Sequence, residues 1–130
     1  FLPKTWFQKQ NNQFLLRDWK HDKPLNVPFH MGCFMFFRNT ILQEVGGFDE
    51  RFFMYMEDID LTRRVHRKAK TLFWPAITIV HNHQRASYKN RRLLKIHIQS
   101  AIRYFNKWGW LVDKERTKWN QMVIKEINKQ

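Results

Sequence analysis

Three carboxylates stand within four positions at Glu57-Asp58-Ile59-Asp60, directly after the aromatic-rich stretch Phe52-Phe53-Met54-Tyr55. Acids so concentrated stand out in a chain with 11 Asp and Glu against 24 Lys and Arg. Such a group can take a proton from a substrate hydroxyl or offer oxygens to a divalent ion. A helix beginning near residue 57 would separate the three. At about 100° per residue, Asp58 lines up with Leu61, Val65 and Ala69, so it points to the core side at the helix entrance. Asp60 falls on the other side, four residues before Arg64, where a solvent-facing ion pair is expected. Glu57 precedes the first turn and suits a cap. Two readings stay open here. Acids gather at helix N-termini because the macrodipole and free N–H groups favour them. Alternatively, Asp58 is a general base on a rigid element, with Glu57 as its tuning neighbour.

Among the six histidines, His81 and His83 follow a predicted strand. At i and i+2 they face opposite sides, so both cannot bind one ion if the strand continues. A histidine at a strand end is a surface or capping residue, or, opposite a carboxylate-rich helix mouth, a divalent-metal ligand. His21, His30, His66 and His97 show no partner pattern. The single cysteine, Cys33, excludes an internal disulfide and a multi-cysteine zinc site, and its apolar surroundings predict a buried, inert thiol.

The elements that must hold these groups follow from period and punctuation. Residues 1–27 read as loop-rich, with a short helix near 9–18. Residues 31–37 form an apolar run suited to a fully buried strand, in which Gly32 marks a bulge or a close approach of the backbone to something bound. Asn39 or Thr40 can cap a helix reaching Val45, with Thr40 and Gln43 spaced as a capping box and Gly46-Gly47 ending it. A loop over 48–56 must pack its aromatics, and a helix follows over 57–69. Residues 71–74 and 76–80 read as strands around Pro75. A helix over 88–108 lines up Leu94, Ile98, Ala101, Ile102 and Phe105, leaving Lys89, Arg92, Lys95, Arg103 and Lys107 off the stripe. A last helix over 114–128 groups Trp119, Met122, Val123 and Ile127.

At 130 residues there is room for one small core, and 43% hydrophobic content with 16% aromatics fits a globular chain. The formal net charge of +13 implies an anionic partner: nucleic acid, an acidic membrane surface or a phosphorylated substrate. No apolar stretch approaches the ~20 residues of a membrane span. A first residue other than Met suggests a processed chain or an excerpt.

In order and spacing, several of these motifs resemble bacterial family 2 glycosyltransferases, nearest to the rhamnosyltransferase-like enzymes of cell-surface polysaccharide synthesis. The matching pieces are Gly32-Cys33-Phe34-Met35 with Arg38, Glu44-Val45-Gly46-Gly47-Phe48-Asp49-Glu50, Phe52-Phe53-Met54-Tyr55, Glu57-Asp58-Ile59-Asp60-Leu61, and then Pro75 and His81. They span about residues 25–110. The resemblance implies an α/β class: the C-terminal portion of a GT-A (Rossmann-like) domain, a short mixed sheet flanked by helices, with C-terminal amphipathic helices. It implies an acceptor-side half over residues 1–110 and a helical tail over 111–130. It further implies transfer of a rhamnose-like sugar, with inversion, from a nucleotide-sugar donor to a lipid-linked or polysaccharide acceptor. Asp58 would be the general base beside Glu57, and Gly32, Cys33, Phe34, Tyr55 and Asp60 would contact substrate. His81 would complete the coordination of Mg2+ or Mn2+.

The family's nucleotide-binding half, with its Asp-x-Asp metal motif, has no counterpart here. Asp58-Ile59-Asp60 has those letters but occupies the base's place in the motif order. The piece alone is therefore expected to lack donor binding and turnover, and an exposed half-sandwich could dimerise. Competing expectations are an inactive remnant or interaction module, and a basic nucleic-acid-binding domain, although the cations are dispersed and no such motif is present. The helix over 88–108 is either an ordinary packed helix or an interfacial one drawn to anionic lipid, with Trp108 and Trp110 at headgroup level. The expected location is cytoplasmic, peripheral on the inner face of the plasma membrane.

Overall fold

The computed structural model describes residue 16, residues 19–82 and residues 90–129. The predicted helix near 9–18 and His83 lie outside the described residues. Along the chain come β1 (Leu25–Asn26), α1 (Asn39–Glu44), α2 (Glu57–His66), β2 (Leu72–Phe73), α3 (Arg91–Trp108) and α4 (Lys114–Ile127). Helices thus dominate a minimal sheet, compatible with a piece of an α/β fold.

β1 and β2 pair antiparallel, Leu25 opposite Phe73 and Asn26 opposite Leu72. So short a ladder needs side-chain help. The Asn26 Oδ1 accepts from the Thr71 N–H at 2.9 Å, and the Thr71 hydroxyl donates to the Val27 carbonyl. Behind the ladder, Trp19, Leu25, Val27 and Val123 form the buried apolar cluster, flanked by Leu16, Phe73 and Ile127. Val123 and Ile127, spaced i and i+4, dock α4 here. Met122, expected on the same stripe, is instead 56% exposed.

α1 has Arg38 at its N-cap and no side-chain cap, so the expected Thr40–Gln43 capping box does not form. Its end follows the sequence. Gly46 and Gly47 take φ of 76° and 65°; the Gly46 N–H donates to the Gln43 carbonyl and the Gly47 N–H to the Leu42 carbonyl, a Schellman closure. α2 is the central element: Asp60, Leu61, Thr62, Arg63 and Val65 are all buried. Its acids fill the first turn and Arg63, Arg64 and His66 the last, matching the macrodipole.

Several expectations are corrected. Residues 31–37 form no strand; they make a turn at Gly32-Cys33 followed by extended chain, with Phe34 and Phe36 60% and 92% exposed. Among the described residues the single ladder is β1–β2, so no strand pairs with this run. Cys33 is accordingly exposed, not buried. Residues 76–80 are likewise irregular and exposed, and the sheet is a two-stranded antiparallel pair rather than a short mixed one.

α3 turns its apolar stripe outward: Leu94, Ile98 and Ile102 are 47%, 51% and 43% exposed. Its buried residues are Ser100 and Tyr104. The Asn90 side chain caps it, accepting from the Arg92 and Leu93 N–H groups, and Gly109, at φ 105°, ends it.

Candidate active site at the mouth of helix α2

Asp58 sits in the first turn of α2, half-buried, at the head of the stripe carrying the buried Leu61 and Val65. Its Oδ2 accepts from the Gly32 N–H at 2.9 Å and its Oδ1 from the Ile59 N–H at 2.8 Å. Each oxygen keeps a second lone pair for a further partner. The approach of Gly32 is close: a Cβ there would lie 3.0 Å from the Asp58 Cβ and 3.3 Å from its Oδ2. A side chain here would make Asp58 give way by a few tenths of an ångström, and the exposed Gly32-Cys33-Phe34 turn is fixed beside the carboxylate.

The backbone entering α2 is strained. Tyr55 and Met56 are consecutive non-glycine residues in the left-handed region, with φ of 68° and 66°. Such conformations cost of order 1–3 kcal/mol each and persist where surrounding contacts over-determine them, commonly at functional sites. Here α3 supplies those contacts. The Tyr55 ring stacks on His97, with centroids 4.5 Å apart and planes at 17°. The Ser100 hydroxyl donates to the Met54 carbonyl at 2.7 Å, and Arg103 Nη1 donates to the Arg51 carbonyl at 2.6 Å.

Glu57 differs from Asp58. Its Oε2 is buried with no hydrogen-bond partner among the described residues. Burial pushes its carboxyl above the ordinary range, and the neighbouring Asp58 charge adds to this.

Asp60 is fully buried, not solvent-facing. The expected i,i+4 pair with Arg64 exists, Nε to Oδ2 at 2.8 Å. Lys107 Nζ lies 2.6 Å from Oδ1, and the Trp108 indole donates to the same oxygen at 2.8 Å. With both oxygens occupied and no solvent access, Asp60 is a positioning group, which corrects its assignment as a substrate contact. Its partner Arg64 donates from Nη1 and Nη2 to the Val45 and Gly47 carbonyls, at 2.5 and 2.7 Å, clamping the end of α1. Lys107 also reaches Asp49 Oδ2 at 2.7 Å. The Arg51 hydrogen bond first, then Lys107 against the cost of burial, holds the Asp49 carboxyl far below its usual range. The Gly-Gly-Phe-Asp motif is thereby tied to the back of the acid cluster.

A second polar network anchors α2 to α3 and α4. Arg63 binds Asp113 bidentately at 2.6 and 2.7 Å, Glu115 Oε2 at 2.9 Å from Nη2, and the Tyr104 hydroxyl at 3.3 Å. Its guanidinium lies 4.1 Å from the Trp108 ring centroid. Burial opposes the charge, but bonds to Asp113, Tyr104 and Glu115 outweigh it and hold Arg63 above its ordinary range. An open hollow of about 610 Å³ is lined by Arg63, Arg67, Trp108, Asp113 and Glu115 among others. It does not include Asp58. Two of its cations, Arg63 and Arg67, are already paired to Asp113 and Glu115.

Among the described residues no group of three or more His, Cys, Asp or Glu could hold a metal ion. His81 stands in an exposed segment after β2. Sequence reasoning found Asp58 and Gly32 but missed Lys107, Ser100 and His97 as supports. Their signal was position: with Tyr104 they share the face of α3 opposite its apolar stripe.

No family model matches the chain, and no solved structure matches it. The N-acetylglucosaminyl-diphospho-decaprenol L-rhamnosyltransferase of Mycobacterium tuberculosis (strain ATCC 25618 / H37Rv) is 38% identical over 52 residues, 39% of this chain and 17% of that protein. The rhamnosyltransferase WbbL of Escherichia coli (strain K12) is 36% identical over 81 residues, 60% of this chain and 30% of that protein. The chain thus spans less than a third of the length of the curated relatives it matches. Over that part, it is related to glycosyltransferases of the rhamnosyltransferase kind.

Proposed function

We propose that this chain is the acceptor-side part of an inverting, GT-A-type glycosyltransferase that moves a rhamnose-like sugar from a nucleotide donor to a lipid-linked saccharide. The observation that carries the reading is Asp58: a half-buried carboxylate fixed by two backbone N–H groups, beside an exposed turn and behind strained backbone. Partial identity to two rhamnosyltransferases supports the class of reaction, and the decaprenyl-diphosphate acceptor in the name of the Mycobacterium tuberculosis enzyme supports a polyprenyl-diphosphate-linked acceptor.

In the proposed reaction the acceptor hydroxyl lies against the Gly32–Phe34 turn and hydrogen-bonds to Asp58. As its oxygen bonds to the anomeric carbon, its proton passes to the Asp58 carboxylate. The bond from that carbon to the nucleotide diphosphate breaks on the opposite face and the leaving group keeps the electron pair, so configuration inverts. Gly32 and Ile59 hold the base in place, so little reorganisation accompanies proton transfer. Phe34 and Tyr55 offer apolar and aromatic surface to a sugar ring. Stabilisation of the departing diphosphate is assigned to none of the described residues.

The test is transfer of labelled rhamnose from its nucleotide to polyprenyl-diphosphate-linked saccharide by the protein carrying this chain. Product of inverted anomeric configuration supports the reading. Absence of transfer across nucleotide-rhamnose donors and lipid-linked acceptors overturns it.

A further inference from the structure

α3 divides lengthwise into three sectors. The inner one carries His97, Ser100, Tyr104 and Lys107, which bind the 49–56 loop and Asp60. The second carries Leu94, Ile98 and Ile102 at four-residue intervals, each more than 40% exposed. Immediately past the helix, Trp110, Leu111 and Val112 are 54%, 93% and 73% exposed and prolong this apolar surface. The third sector, about 60° to 120° round from Ile98, carries Lys95 and Arg92, while Arg103 turns in to the Arg51 carbonyl. The sequence of α3 contains five Arg and Lys and no Asp or Glu.

Apolar side chains aligned beside unopposed cations call for a partner that is hydrocarbon at one depth and anionic at the next. A duplex or single-stranded nucleic acid would meet the cations but leave Leu94, Ile98 and Ile102 in water. A second copy docked antiparallel by two-fold symmetry would cover the stripe while setting one cation row against the other. An anionic bilayer surface meets both demands. The apolar residues enter the acyl boundary, the cations face phosphates, and the Trp110 indole sits at the headgroup level.

We propose that α3, together with residues 110–112, docks this protein flat on an anionic membrane surface. The inner sector of the same helix holds the loop that leads into Asp58, so docking fixes the height of the acid cluster above the lipid. No helix among the described residues is long and apolar enough to cross a membrane, and docking of this kind needs none.

Co-sedimentation of the full chain with vesicles of phosphatidylcholine and phosphatidylglycerol, against pure phosphatidylcholine and a lipid-free control, tests this. The chain is expected to pellet with the anionic vesicles at low salt and to be released as salt rises. Removing three cations together (Arg91→Gln, Arg92→Gln, Lys95→Gln) should weaken binding about a hundredfold, at roughly fivefold per cation. Ile98→Ser should weaken it about tenfold or more by removing a buried apolar side chain. Both variants alter exposed residues, and unchanged circular dichroism confirms their fold. Equal binding to neutral and anionic vesicles would overturn the proposal. So would binding to neither, binding unmoved by Ile98→Ser, or a dimer that Ile98→Ser dissolves. The inference is independent of the sugar chemistry: either can fail while the other stands.

Discussion

Replacing Arg63 with Met tests whether α2 owes its position to a buried ion network. The Arg63 and Asp113 side chains are 6% and 4% exposed, and two hydrogen bonds of 2.6 and 2.7 Å join them. Removing the guanidinium leaves the Asp113 charge buried, with only its capping bond from the Arg116 N–H. Breaking a buried pair from one side costs about 3–5 kcal/mol. The second bond, to Glu115, adds little because that carboxylate is 29% exposed and retains Arg67. For a chain of this size the loss corresponds to a fall in Tm of roughly 10–20 °C. Guanidinium unfolding followed by circular dichroism would measure it. Arg63→Met combined with Asp113→Asn should recover part of the loss, because the stranded charge is gone and an amide oxygen can still cap α4. A single-variant loss below about 1 kcal/mol would refute the reasoning, showing the pair to be solvent-screened.

Gly32→Ala places a methyl 3.0 Å from the Asp58 Cβ, so it should displace the carboxylate and cut sugar transfer by roughly ten- to a hundredfold, with little change in Tm; steady-state kinetics beside a melting curve would check this. Glu57 has its carboxyl raised by burial, so the stability it contributes is complete below about pH 4.5 and lost as pH rises through the raised value. Glu57→Gln should therefore raise Tm near pH 7, with the gain shrinking toward about pH 4. Burial lowers the pKa of His30 and of His66, whose Nδ1 donates to the Thr71 hydroxyl oxygen. Their contribution is present above the unfolded value of 6.5 and lost as pH falls through the depressed one. The denaturation midpoint should fall as pH drops below 6.5, and less steeply in a His30→Asn, His66→Gln variant.

How much of this was legible in the sequence depended on the range of the interaction. Local rules worked: Gly46 and Gly47 end α1, the acids open α2, Asp60 reaches Arg64 four residues on, and α4 carries Val123 and Ile127 inward. Gly32, expected to mark a bulge or a close approach to something bound, is instead approached by the chain's own Asp58. Periodicity identified the apolar stripe of α3 but could not say which way it faces. A polar face can turn inward when its groups meet partners, as Ser100 does at Met54 and Lys107 at Asp49 and Asp60. Those partners lie some 46 to 58 positions away, beyond any spacing rule. The same limit hid the burial of Asp60 and the Arg63–Asp113 pair. For residues 31–37, composition described a strand, but a strand needs a neighbour, and among the described residues this run has none.

The central claim is that the Asp58 carboxylate accepts the acceptor proton. Its most direct measurement is the kcat of Asp58→Asn at saturating donor and acceptor, in the protein carrying this chain. Asparagine preserves shape and an oxygen for the Gly32 N–H but cannot serve as a base at neutral pH. The account predicts kcat lower by roughly 10²–10⁴-fold with KM little changed. A kcat within a few-fold of the parent would contradict it.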